Sequence, residues 1–285
     1  MTGNKPEPIN EDNLPESIQA MLAKITDDDK RRSHARFILS ALGSIPWIGG
    51  FLGAMAARDT EKEQGDINQL HQLWLQEHEE KIQKLGYAFF QILSQLEKFD
   101  KEVQERLESP HYLDLVRKGF RSWDQADTEE KRELIRKLLT SAGAVKLCPD
   151  DLVRLFIDWI DKYHEAHFKV IKEIYQNQGI SRKGIWNNVK GTIPREDSAE
   201  ADLFKLLIND LSIGHVIRQI RDTDRAGNFL KKQRVKPVRG ISPSRKTESA
   251  FEDSKPYVLT ELGKQFVHYT MEEVVTQIED QKHNI

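Results

Sequence analysis

From Phe37 to Ala57 the chain reads FILSALGSIPWIGGFLGAMAA, 21 residues without a charge. Arg31, Arg32, Arg36 and Arg58 flank it. The surrounding protein is polar: 31% of its residues are charged and its mean hydropathy is -0.63. A stretch this long stands at the threshold for spanning a bilayer, which takes about 20 apolar residues. Pro46 in its middle and the glycines Gly43, Gly49, Gly50 and Gly53 oppose a single straight helix. Two short helices meeting near 44–50 fit better. Two readings stand for this segment. Phe37, Ile38, Leu42, Ile45, Trp47, Ile48, Phe51 and Leu52 form a membrane-active element, with Trp47 near an interface and the arginines at anionic headgroups. Alternatively the segment is a core hairpin whose glycines let helices approach closely. No second comparable segment exists, so a pore would need several chains.

At 285 residues the chain is long enough for one large domain or two modest ones. A net charge of -3 opposes wholesale coating of nucleic acid and leaves only a local patch for such contact. The single cysteine, Cys148, excludes an intramolecular disulfide framework and suits a reducing cytosol. Glu7, Glu11, Asp12, Glu16 and the run Asp27–Asp29 precede the apolar stretch, which is unlike a secretory leader. The expectation is therefore a cytoplasmic protein, peripheral to the inner membrane if the apolar segment engages lipid.

The expected architecture is mainly α. Residues 1–35 form an acidic, partly disordered leader, within which 14–25 suggests a short helix carrying Ile18, Met21, Leu22 and Ile25. A helical domain follows over 36–148. Its landmark is an amphipathic pattern from Asp66 to Leu107, with Leu70, Leu73, Trp74, Ile82, Leu85, Phe89, Ile92, Leu96, Phe99 and Val103 at spacings of mostly three and four. As one helix it would reach roughly 60 Å. Ser109-Pro110 ends it, and a helix over 111–122 follows. Asp127 and Glu130 resemble a capping box for the next, which Gly143 stops. Pro149 sits at a first helical position. Residues 149–285 are expected to be winged-helix-like. Helices begin at Ser181 and at Asp197 or Ser198, strands cover 215–221 and 256–260, and Thr260 caps a last helix running past Ile278. The helix at 149–162 could belong to either domain.

That order resembles the abortive-infection alpha proteins of bacteria, which are associated with phage defence. Four groups of residues carry the resemblance: the Gly-rich apolar segment; LLTSAGA (138–144) with LFIDWIDKYHEAHFKVIKEIY (155–175); DLFKLLINDLSIGHVI (202–217); and YVLTELGKQFV (257–267), which has the Leu-Thr-x-Leu-Gly-x-x-Phe close of winged helices. The loop 222–255 and the extended helix depart from the pattern. The resemblance implies a defence or toxicity role and carries over no catalytic residue.

Between Arg218 and Lys246 the long loop holds ten basic residues: Arg218, Arg221, Arg225, Lys231, Lys232, Arg234, Lys236, Arg239, Arg245 and Lys246. Against Asp222 and Asp224 this gives a local charge of +8. Such a wing would meet phosphates in a salt-dependent way, or an acidic protein partner, or simply be solvated. The helix before it opposes base reading. Glu196, Asp197, Glu200, Asp202 and Asp210 would face phosphate with only Lys205 opposing them. It looks nearer to a protein-docking or dimer module.

No catalytic or metal constellation emerges. His164 and His167 are three apart, and Phe168 stands where a zinc motif needs its second histidine. Cys148 precedes a helix start, which could lower its pKa, but no base accompanies it. No cofactor or small-molecule substrate is indicated. The leading expectation is a non-enzymatic defence or toxicity effector, a homo-oligomer whose apolar segment acts on membranes when released. The alternatives are a nucleic-acid-binding regulator working through the basic wing, and a structural subunit of a larger complex.

Overall fold

The computed structural model describes residues 14–25, 27–61, 69–96, 101–144, 148–220, 226 and 249–272. The chain divides into two compact units, one of residues 1–162 with 269–285 and one of residues 163–268. The first is mainly helical and the second winged-helix-like, and the helix over 150–162 lies with the first.

The first unit is a helical bundle: α1 (Glu16–Leu22), α2 (Asp28–Leu42), α3 (Pro46–Glu61), α4 (Gln69–Leu96), α5 (Lys101–Glu108), α6 (Pro110–Gln125), α7 (Glu129–Ala144) and α8 (Asp150–Lys162). The sequence dictates the ends. Asp27 accepts from the amides of Asp29 and Lys30 to start α2. Ser109 accepts from the Tyr112 amide, with Pro110 in the first turn of α6. Pro46 opens α3, and α2 and α3 meet at 100°. The apolar segment is thus two helices, as its proline and glycines suggest.

The pattern read as one helix over 66–107 carries two described helices, α4 and α5, and residues 97–100, where a break would fall, lie outside the described set. Four expectations are corrected. Within α4 the buried positions include Leu75, Ile82, Leu85, Phe89, Ile92 and Leu96, a heptad row that leaves Leu73 56% exposed. The start of α7 is one residue later than expected, because Thr128 rather than Asp127 receives the Lys131 amide, at 3.4 Å. Gly143 does not stop that helix. It sits inside it, where a Cβ would stand 2.7 Å from the Tyr112 hydroxyl, so its smallness serves packing. Pro149 lies just outside α8 and accepts from the Leu152 amide.

The second unit runs α9 (Glu165–Gln176), α10 (Arg182–Val189), α11 (Ala199–Ile213), β1 (Ile217–Gln219), β2 (Tyr257–Leu259) and then α12 (Glu261–Thr270), whose last two residues belong to the first unit. β1 and β2 are antiparallel, with Ile217 opposite Leu259. A single bridge from Ile180 to Tyr257 occupies the other edge of β2. Helix, bridge, helix, helix, hairpin and helix is the winged-helix order. Ser181, Ser198 and Thr260 cap as expected, accepting from the amides of Gly184, Ala201 and Gly263. Beyond residue 272 the expected continuation through Val274, Val275 and Ile278 lies outside the described residues, as does the leader before Leu14.

Candidate functional site

The apolar segment is built into the core of the first unit. Phe37, Ile38, Leu42 and Ile48 have no exposure, and Ile45 and Phe51 are 3% and 4% exposed. Leu52 is half-buried. The Phe37 ring lies 6.3 Å edge-on to Phe89 and to Phe120, which are themselves 4.7 Å apart. Trp47, expected at a lipid interface, instead donates its indole N–H to Asp124 at 2.9 Å. Lys81 pairs with the same carboxylate at 3.0 Å and stands over the Trp47 ring. No single described helix is long and apolar enough to cross a membrane; α2 with the start of α3 passes such a test only as a bent pair. Burying a large apolar side chain is worth about 1.5–3 kcal/mol. Withdrawing six of them would therefore forfeit roughly 9–18 kcal/mol, an upper bound comparable to the whole stability of an ordinary domain.

Of the ten basic loop residues only Arg218 is described, exposed on β1. The other nine lie outside the described residues.

The unexpected surface is on α11, in the position that reads DNA in helix-turn-helix proteins. Its inner face buries Ala201, Phe204, Leu207, Ile208 and Leu211. Phe204 packs against Trp186 and Phe251 at 5.3 and 5.8 Å. Its outer face turns Leu203, Leu206 and Ile213 to solvent at 52%, 53% and 73% exposure. With Ala199 and Asp210 these residues occupy positions 199, 203, 206, 210 and 213, the alternating four-and-three spacing of a coiled-coil seam. Glu200 and Asp202 flank the stripe, and Asp210 interrupts it between Leu206 and Ile213. The one lysine on the helix, Lys205, is turned to Glu196 at 3.7 Å. Sequence pattern locates this helix and its acids but does not separate the exposed Leu203 and Leu206 from the buried Leu207 and Leu211. The available signal is their number: seven large apolar residues in positions 203–213 cannot share one face.

Other candidates are structural. His167, 3% exposed, accepts from the His164 amide through Nδ1 and stacks on Tyr163. Its Nε2 is 3.5 Å from Asp210, too long for a strong hydrogen bond. Burial holds its pKa below the usual histidine value despite that carboxylate. The Tyr163 hydroxyl, also buried, is pushed up to about 12 by burial and by Asp210. Among the described residues no group of three metal-ligating side chains converges. Cys148 is a correction: burial pushes its thiol up, outweighing the hydrogen bond with Tyr269, rather than the helix start lowering it.

Comparison with known protein families, curated proteins and solved structures finds no match to this chain. Its own surfaces are therefore what point to a function.

Proposed function

We propose that this is a non-enzymatic regulatory protein whose winged-helix-like unit docks a protein partner through the outer face of α11. The carrying observation is the row Leu203, Leu206 and Ile213 held in water, with Asp210 within the row and Glu200 and Asp202 on its two sides. Exposed apolar side chains at seam spacing favour a helix laid in register against them. The acidic flanks select a partner with an apolar seam and basic edges, and they oppose both DNA phosphate and symmetric self-pairing of α11. The same acids weaken the nucleic-acid alternative at the helix. The test is fluorescence anisotropy of a labelled 21-residue leucine-seam peptide with lysine flanks, beside the same peptide with glutamate flanks. Preference for the lysine peptide that fades with salt supports the proposal. Equal weakness of both peptides contradicts it.

A second reading keeps the defence effector, with segment 37–57 stored in the core and released onto a membrane. What favours it is the bent apolar pair α2–α3, in which Gly50 and Gly53 face open space and so serve no packing contact. Flotation with anionic liposomes tests it, wild type against the Trp47→Glu, Phe51→Glu double variant. Loss of flotation in a variant that stays helical supports release; no flotation by the wild type under any condition removes it.

A further inference from the structure

α1, the turn after it and the start of α2 leave an open cleft of about 440 Å³ against α4. Its walls divide by chemistry. The floor is apolar: Leu22 and Ile38 are buried, Leu93 is 5% exposed, and Phe90 stands half in water at the mouth. The rim is basic: Lys24 and Lys30, with the His34 ring in the wall. The single acid there, Asp27, has its carboxylate engaged in capping α2 through the amides of Asp29 and Lys30. Neither Lys24 nor Lys30 makes an ion pair among the described residues. Small-molecule sites have this size, and an apolar floor beside polar groups that orient the ligand is their usual division.

We infer that this cleft binds an amphipathic anion, an aliphatic chain ending in a carboxylate. The chain lies on Leu22, Ile38 and Leu93, and Phe90 closes over it. The head group meets Lys24 and Lys30 at the rim, where a charged end keeps part of its hydration and desolvation is small. A neutral chain of the same length gains the floor and not the rim. A cationic one is opposed by both lysines. The site is independent of α11, so it stands or falls separately from the docking proposal.

The probe is monomeric dodecanoate, followed by isothermal titration calorimetry on the full chain, with decanoate and dodecyltrimethylammonium as comparisons. Each methylene withdrawn from water multiplies affinity about three- to fourfold, so dodecanoate should bind roughly tenfold tighter than decanoate. The cation should not bind measurably. Leu93→Trp, which fills the floor, should abolish binding. If that variant fails to fold, the surface pair Lys24→Glu, Lys30→Glu decides instead: it should lose dodecanoate while its circular dichroism is unchanged. Equal binding of the anion and the cation, or full dodecanoate affinity in the lysine variant, overturns the inference. So does binding to phosphatidylglycerol vesicles that dodecanoate does not displace, which would make the lysines a lipid-surface contact rather than the rim of a cleft.

Discussion

The ring of Phe37 stacks on the ring of Tyr112, with 6.2 Å between centroids and 24° between planes. Tyr112 is itself tied down, donating its hydroxyl to the Leu139 carbonyl at 2.9 Å. The most lipid-like segment of the chain is thereby fixed to α6 and α7 through one fully buried pair. Whatever else residues 37–57 do, they hold this bundle together.

Truncating Phe37 removes contacts to three aromatic neighbours and leaves a cavity among rigid helices. Phe37→Ala should destabilise the first unit by about 3–5 kcal/mol. Chemical denaturation followed by circular dichroism measures this. A loss below about 1 kcal/mol would mean the segment is not core.

Trp47→Phe keeps the aromatic body and deletes the N–H that Asp124 accepts. Lys81 still pairs with that carboxylate, so the loss should be modest, about 1 kcal/mol in the same denaturation measurement. Trp47→Leu should cost more, because the ring also packs edge-on to Phe51 at 6.2 Å.

Gly263 explains one residue of the Leu-Thr-x-Leu-Gly-x-x-Phe close. A Cβ there would come within 2.1 Å of the Val216 carbonyl oxygen, a backbone atom that cannot step aside. Gly263→Ala should therefore destabilise the second unit by about 1–3 kcal/mol or more. The neighbouring exposed Lys264→Ala should change stability by less than about 0.5 kcal/mol. Thermal unfolding of the two variants side by side checks the contrast.

His167 makes stability depend on pH in one direction. Its folded pKa lies below the ordinary histidine value, so in acid the unfolded chain takes the proton first. Stability from this residue is complete above about pH 6.5 and declines as pH falls below it. Asp210 moderates the effect, while His164 adds to it through its ring charge and offsets part of it through its backbone hydrogen bond. Unfolding free energies at pH 7.5 and 5.5 should differ more for the wild type than for His167→Gln.

Local chemistry makes much of this fold legible. Serine caps at Ser181 and Ser198, the Pro46 break and the strands at 217 and 257 follow from short-range rules. What escapes is set by distance in the chain. Whether an apolar residue faces a core depends on partners the sequence does not name. Hence Leu203 and Leu206 are not told apart from the buried Leu207 and Leu211, and a lipid reading of Trp47 stays open beside a core reading because its partner, Asp124, lies in another helix. Gly143 reads as a helix stop because the Tyr112 hydroxyl that requires it comes from α6. The basic wing is legible as charge, and charge alone does not identify what meets it.

The most direct test of docking through α11 compares Leu203→Glu, Leu206→Glu with Leu207→Glu. The double variant should keep the wild-type melting temperature and lose the lysine-flanked peptide, whereas Leu207→Glu should unfold the unit. If the double variant melts as early as Leu207→Glu, the two leucines are core. If it still binds the peptide with wild-type affinity, α11 is not where the partner docks.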